Sequence, residues 1–109
     1  MADEFHVVVI RQAKRDGQAI YDWLFERSPQ GAEAWAQAYI EALESLTTHP
    51  LRCGLAPENE DHEVEIRQRI FRTRYGKSYR LLFTIAGKEV QVLHVRGPGQ
   101  RFVDLGETM

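Results

Sequence analysis

The sequence predicts an α+β fold in which two helices form one layer and a mostly antiparallel, twisted sheet forms the other. A β-branched run opens the chain, two segments with helical spacing of apolar residues follow, and the remainder alternates apolar with polar residues. The predicted order is β-α-α-β-β-β. Each helix must bury an apolar stripe, and the sheet supplies the surface for it. At 109 residues, the chain 1–109 is expected to form one domain.

The first strand and the first helix are predicted from Phe5–Ile10 and from about Ala13–Arg27. The strand segment is rich in valine and isoleucine, which favour strands. In the helix, apolar residues recur at the spacing of one helical face and end at a charged residue. That predicted stripe contains Ile20, Trp23, Leu24 and Arg27.

A second helix is predicted over about Pro29–Thr47. Ser28 can cap its exposed backbone N–H groups, and proline is favoured at the first helical position. A short break after the first helix indicates an antiparallel helical hairpin. We interpret the aromatic residues of this helix as core residues. The predicted core stripe contains Trp35, Ala38, Tyr39, Ala42, Leu43 and Leu46.

The segment His49–Asp61 is predicted to be a loop, because it contains two prolines and a glycine. It ends in an acidic cluster at residues 58–61. Two interpretations stay open for this loop: a solvated connector, or a region that contacts a partner.

Three strands are predicted in the remainder of the chain. Apolar residues from Val64 to Ile70 alternate with charged ones, and the parity shifts at Phe71, which predicts a bulge or a break there. The next two strands, Tyr79–Ile85 and Glu89–Arg96, are joined by a tight turn. The first strand of the chain is expected at an edge of the sheet or paired with these strands.

Composition limits the cellular compartment, the cofactors and the metal sites that we expect for the protein. Cys53 is the only cysteine, so an internal disulfide is excluded and a reducing cytoplasm is expected. No apolar run approaches the roughly 20 residues needed to span a bilayer, so no membrane association is expected. No pattern indicates a cofactor. The spacing of His6, His49 and His62 does not suggest a metal site.

Charge is distributed unevenly along the chain, which has a net charge of −2. Residues 1–62 carry 5 basic and 11 acidic residues, whereas residues 63–109 carry 9 basic and 5 acidic ones. Arginine dominates the basic part and suits contact with phosphate or carboxylate groups. We therefore expect the C-terminal sheet to face an anionic partner, or to be a solvated basic face. The candidate binding residues are Arg67, Arg69, Arg72, Arg80, Arg96 and Arg101.

Three polar residues stand at the ends of the last two predicted strands. Arg80 opens one strand, and His94 and Arg96 close the next. In an antiparallel pair, the start of one strand lies beside the end of its neighbour. These residues are therefore predicted to gather at one end of the sheet, where they would suit anion binding or proton transfer.

The chain resembles the RelE/ParE superfamily of toxins from bacterial type II toxin–antitoxin modules, often called plasmid stabilisation proteins. The resemblance covers about Phe5 to Phe102. It rests on the ERSPQGAEAW segment and on the strand sequences EIRQRIF, YRLLF and VLHVRG, in this order. It implies a cytoplasmic toxin that a cognate antitoxin binds and silences, in a toxin–antitoxin hetero-oligomer.

The superfamily has two unlike activities on one fold, so the resemblance leaves the target open. RelE-like members cleave mRNA on the ribosome, whereas ParE-like members bind DNA gyrase and block it without chemistry. If the chain is a nuclease, the resemblance implies that Arg80 and Arg96 support the phosphate, and His94 is a candidate acid or base.

Departures from the RelE-like pattern favour the ParE-like interpretation. The strand after the helices offers arginines and no lysine, and Gly97 follows Arg96 where many relatives have histidine. Phe102 stands where a tyrosine hydroxyl would be useful. The predicted function is therefore growth arrest by binding an essential target, DNA gyrase. The alternatives are a ribosome-dependent mRNA endonuclease and a degenerate toxin that only binds its antitoxin.

Overall fold

The structure is a computed structural model that describes residues 4–61, 64–73 and 76–98. Its element order confirms the predicted β-α-α-β-β-β arrangement. Within the described ranges, neither helix has the length and apolar character that crossing a membrane requires. The elements are β1 (His6–Val9), α1 (Arg11–Arg27), α2 (Pro29–Ser45), β2 (Arg67–Arg72), β3 (Ser78–Ala86) and β4 (Glu89–Arg96).

The four strands form one sheet in the order β1-β4-β3-β2. The pairs β2–β3 and β3–β4 are antiparallel, and β1 pairs with β4 in parallel. Parallel strands cannot be joined by a tight turn, and here the helical hairpin, β2 and β3 lie between β1 and β4 along the chain. β1 therefore occupies an edge and pairs with the C-terminal strands, as predicted.

Local sequence explains where the two helices begin and end. α1 starts at Arg11, two residues earlier than predicted, directly after β1. At the start of α2, the Ser28 hydroxyl accepts a hydrogen bond from the Gly31 N–H at 3.0 Å, as its capping role predicts. α2 ends at Ser45 rather than Thr47. There, the hydroxyls of Ser45 and Thr47 donate to backbone carbonyls of the last turn.

The main core lies between the helices and one face of the sheet. Trp35 of α2 is 2% exposed, which confirms its predicted place in the core. Its ring stacks on Tyr39 with centroids 5.0 Å apart, and Tyr79 meets it edge-on. Phe71 of β2 completes this aromatic group. Fixed aromatic pairs of this kind hold α2 in register against β2 and β3.

The prediction for Trp23 is wrong. Its side chain is 55% exposed, and the Arg27 guanidinium lies over its ring at 3.7 Å from the centroid. Ala13 and Gly17 are buried in its place, with Ile20 and Leu24 beside the core. The buried face of α1 is therefore rotated away from Trp23, whose ring packs on its own helix through a cation–π contact.

The opposite face of the sheet is covered by residues 54–61, which we call the strap. The strap begins against the outer edge of β2, where the Gly54 carbonyl accepts a hydrogen bond from the Gln68 N–H. It then runs over a second apolar cluster. That cluster contains Ala56, Ile66, Leu82 and Leu93. The loop is therefore packed on the sheet at Ala56 and Glu58, which are buried, and is not only a solvated connector.

The predicted bulge or break near Phe71 is also wrong. β2 pairs with β3 without interruption from Arg67 to Arg72. The irregularity lies in β4, where Leu93 is an extra residue between the pairs Leu82–His94 and Phe83–Val92. Apolar residues occur at both odd-numbered and even-numbered positions around β2 because both faces of the sheet are covered.

Candidate functional site

The structure brings Arg80, His94 and Arg96 to the same end of the sheet. Arg80 of β3 lies directly opposite Arg96 of β4, and His94 is opposite Leu82. The antiparallel pairing places them there, as the sequence predicts. Their side-chain partners decide what these residues can do.

Arg80 is held by a carboxylate of the strap. Its two terminal nitrogens donate to the two carboxylate oxygens of Glu58, each at 3.0 Å. Nη1 also donates to the Gln68 Oε1 at 3.1 Å. The Glu58 side chain is 1% exposed and that of Arg80 is 19% exposed. The guanidinium fork that would suit a phosphate is thus engaged by an internal acid.

Glu58 is a residue that sequence reasoning missed. It belongs to the acidic cluster at residues 58–61, which gave no reason to separate one member from the others. Its neighbour Asn59 has a structural role too, since its Oδ1 accepts a hydrogen bond from the Ile66 N–H at 2.8 Å. A buried carboxylate needs a partner. The arginines on the strands that follow the acidic cluster are the sequence feature that could have indicated such a partner.

His94 is buried against the first helix. It is 3% exposed, and its Nδ1 lies 3.0 Å from Oδ2 of Asp16. The same oxygen accepts a hydrogen bond from the Val95 N–H, and Gln12 donates to the other oxygen. A histidine–carboxylate pair can move protons, but this imidazole is enclosed by the protein. The pair joins α1 to β4 beyond the end of β1.

The pKa of Asp16 reflects this environment. Burial raises its pKa, but hydrogen bonds from His94, Gln12 and the Val95 N–H outweigh that effect, so the pKa falls below its ordinary value. Asp16 was also missed in the sequence, because its partners lie 78 and 79 residues away. The carboxylate is charged at neutral pH and serves as an anchor.

The remaining candidate arginines divide into half-buried residues and an exposed one. Arg67 donates to the Cys53 carbonyl at 2.7 Å and pairs with Glu65 at 3.6 Å. Arg69 donates from Nε to the Ser45 hydroxyl and from Nη1 to the Ile70 carbonyl. Arg72 is exposed and makes no ion pair with another described residue. Arg101 lies outside the described residues, as does Phe102.

Two grooves lie along the outer edge of β2, the larger against the end of α2 and residues 48–54 and the smaller against α2 itself. The larger has a volume of about 520 Å³ and the smaller about 320 Å³. The larger is lined by Ser45, Thr48, His49, Arg52, Cys53, Gly54, Gln68, Arg69 and Ile70. The smaller is lined by Ala38, Glu41, Ala42, Arg69, Ile70, Phe71 and Arg72. Both grooves therefore present arginines beside small and apolar side chains.

The only thiol of the chain lines the larger groove. Burial raises the pKa of Cys53, and the nearby charges of Arg69 and Arg67 offset this only in part. The thiol therefore stays protonated at neutral pH and is a poor nucleophile. Within residues 4–61, 64–73 and 76–98, no three His, Cys, Asp or Glu side chains group together as metal ligands would.

Comparison with known protein families identifies the family to which the chain belongs. The family described as "ParE toxin of type II toxin-antitoxin system, parDE" matches residues 7–102. The chain belongs to this ParE toxin family. The match spans both helices and all four strands except for the first residue of β1, and it confirms the resemblance to the RelE/ParE superfamily.

A solved structure has the same fold as this ParE-family chain. It is a chain of the chromosomal ParDE toxin–antitoxin system from P. aeruginosa, with a TM-score of 0.66 and 21% sequence identity. The alignment covers 87% of this chain and 97% of the other. None of the curated proteins compared with the chain matches it. The match to the ParDE structure confirms the predicted two-layer α+β fold.

Proposed function

We propose that this chain is a ParE-like toxin that arrests growth by binding DNA gyrase, without chemistry of its own. A cognate antitoxin neutralises it in the cytoplasm by forming a hetero-oligomer with it. Membership of the ParE family supports the toxin role. The observation that carries the mode of action is that Arg80 and His94 are engaged by the protein's own carboxylates.

The engagement of these residues counts against a nuclease. Cleavage of RNA needs cations on the phosphate and a group that exchanges a proton with the substrate. To offer its charge, Arg80 would have to leave the buried Glu58. Breaking a buried ion pair of this kind costs about 3–5 kcal/mol. His94 is 4% exposed at its side chain and would have to leave Asp16.

The surface best suited to the antitoxin is the groove region between α2 and residues 69–72 of β2. The strap covers the start of the β2 edge but leaves these residues beside the grooves. Ile70 is 45% exposed there, and Arg72 presents an exposed charge. A segment with both apolar and acidic side chains fits this combination, and its folding on binding is a mode that antitoxins can use.

A supercoiling assay with purified gyrase tests the target. We expect the purified chain to inhibit supercoiling and expect added antitoxin to restore it. The matched variant replaces the buried pair together, Glu58→Leu with Arg80→Met, because exchange of both partners often preserves stability. This variant is expected to inhibit gyrase like the original chain. Unaffected supercoiling at high excess of toxin would reject gyrase as the target.

Two further measurements distinguish the alternatives. Primer extension on translated mRNA after induction would show discrete cuts if the chain were a ribosome-dependent endonuclease, and we expect none. Growth after induction without antitoxin separates an active toxin from a degenerate one. Unimpaired growth with soluble, folded protein would indicate a chain that only binds its antitoxin.

A further inference from the structure

Charged side chains at one end of the helical hairpin have the sign that their own helix disfavours. Arg11 and Lys14, the basic pair, lie in the first turn of α1, which has no acidic residue. Glu41 and Glu44, the acidic pair, lie in the last turn of α2, which has no basic residue. Backbone dipoles make the N-terminus of a helix favour acids and its C-terminus favour bases. Neither pair is therefore explained by the stability of its own helix.

The antiparallel hairpin brings these two helix ends side by side. Tyr21 near the end of α1 donates to Glu33 near the start of α2 at 2.6 Å. At the other end, the N–H of Phe5, just before β1, donates to the carbonyl of Thr47, just after α2, at 2.7 Å. The start of α1 thus lies beside the end of α2. One surface of the helical layer carries the basic pair and the acidic pair in adjacent rows.

This surface is open to a partner. All four charged residues are exposed, and in the ranges that the structure describes none of them makes an ion pair. The side chain of Glu41 accepts a hydrogen bond from Gln37 at 3.2 Å. Ile40 is 48% exposed and lies one helical turn before Glu44. The surface therefore combines both signs of charge with an exposed apolar side chain.

A second copy of the chain has charges that match this surface. When two hairpins pack face to face about a two-fold axis parallel to their helices, α1 of each copy lies over α2 of the other. Each basic pair then faces an acidic pair, and symmetry makes this contact twice. The apolar stems of Arg11 and Lys14 are long enough to cover Ile40 across such an interface. The surface is thus complementary to itself.

We propose that this face of the helical layer is a self-association surface through which two copies form a transient dimer with a four-helix interface. The interface is polar and has little apolar area, so we expect a Kd on the order of 100 μM. The proposal does not depend on which target or antitoxin the chain binds, and its test uses neither.

Sedimentation velocity of the full chain tests the proposal. At about five times the expected Kd, the original chain should be largely dimeric, and the dimer should weaken as sodium chloride is added, because salt screens the charge pairs.

Two charge-reversal variants test the charged rows. One is Arg11→Glu with Lys14→Glu, and the other is Glu41→Lys with Glu44→Lys. Each variant places like charges across the interface, so each should dimerise at least about tenfold more weakly than the original chain. Both variants give their helix the charge that its dipole favours, so both should fold. Far-UV circular dichroism and the Tm check that they do.

An equimolar mixture of the two variants is the decisive sample. In a mixed dimer, the acidic α1 of one variant faces the basic α2 of the other, and the two unaltered pairs face each other. The mixture should therefore recover the dimer that each variant lacks alone. Lys77→Glu and Glu65→Lys reverse exposed charges outside the helical layer and are the controls. Both should dimerise like the original chain.

Three results would overturn the proposal. The first is an original chain that stays monomeric at these concentrations, even if the charge-reversal variants bind the antitoxin less well, since that would assign the surface to the antitoxin. The second is a mixture of folded variants that remains monomeric. The third is a dimer that persists unchanged in both charge-reversal variants, because it would then form through another surface.

Discussion

At the scale of single residues, Asp16 shows how one carboxylate can join distant parts of the chain. It accepts hydrogen bonds from Gln12 on its own helix and from the imidazole and backbone of residues 94 and 95 on β4. These bonds lower its pKa despite burial. A carboxyl group with a lower pKa in the folded state than in the unfolded state stabilises the folded state only while it is ionised.

We therefore predict acid sensitivity that depends on Asp16. Its contribution should be complete above its unfolded pKa of about 3.9 and should be lost as pH falls through the lower folded value. Asp16→Asn should lower the free energy of unfolding by about 1–3 kcal/mol at neutral pH, because a buried hydrogen-bond network loses its charged acceptor. The variant should also lose stability less steeply in acid, which urea unfolding across this pH range measures.

The control for this prediction is Asp22→Asn. Asp22 is exposed on the same helix and accepts a hydrogen bond from Gln18 at 2.8 Å. This variant should follow the original chain in acid. Equal acid profiles for Asp16→Asn and the original chain would show that the network does not depend on the charge.

Residue by residue, the sequence predicts the donors of the candidate site and not their partners. Strand ends in an antiparallel pair bring Arg80, His94 and Arg96 together, and that follows from strand order. Glu58 and Asp16 are 22 and 78 residues away along the chain from the residues they hold. Their contacts depend on the path of the strap and on the docking of α1, which no local pattern records.

At the scale of elements, Gly17 marks where α1 and α2 approach each other. A Cβ at this position would lie 3.6 Å from the Tyr39 hydroxyl oxygen and 3.8 Å from the Trp35 ring, both ordinary contact distances. Glycine in a helix interior is less favourable than alanine. Gly17→Ala should therefore raise the free energy of unfolding by about 1 kcal/mol.

Substitution of Gly87 by alanine should have the opposite effect on the free energy of unfolding. Gly87 has a φ of +62° in the turn between β3 and β4. Alanine there should destabilise the fold by about 1–2 kcal/mol, since left-handed backbone is strained for residues with a Cβ. Chemical denaturation of both variants measures the two effects. A loss of stability in Gly17→Ala would mean that the helices cannot accommodate the added methyl group.

Helix and strand assignments follow from periodicity, whereas finer features depend on what covers each face. The bounds of both helices are predicted to within two residues, because capping and apolar spacing are local signals. The expected bulge at Phe71 assumed a sheet with one buried face. Ile66 packs under the strap and Phe71 packs under α2, so apolar residues at both parities need no irregularity.

At the scale of the whole molecule, the arginines of the C-terminal half fall into two groups: those that make contacts within the protein and those that lie at the uncovered edge of the sheet. Arg67 and Arg80 are largely enclosed by structural contacts, with 17% and 19% of their side chains exposed. Arg69 and Arg72 lie where the β2 edge is left uncovered by the strap. Charged side chains on an edge strand discourage pairing between copies of the same strand. An acidic partner meets no such repulsion.

We predict that Arg72→Glu slows association with the cognate antitoxin. Charges at the rim of an interface act chiefly on the association rate, so a decrease of about tenfold at low salt is expected, and it should shrink as salt is added. Biolayer interferometry with the cognate antitoxin measures this rate. Arg15→Glu, the same charge reversal at an exposed position of α1, is the matched control and should have a smaller effect. An equal effect of the two variants would mean that the antitoxin responds to net charge, whereas slowing confined to Arg72→Glu would indicate docking at the α2–β2 groove.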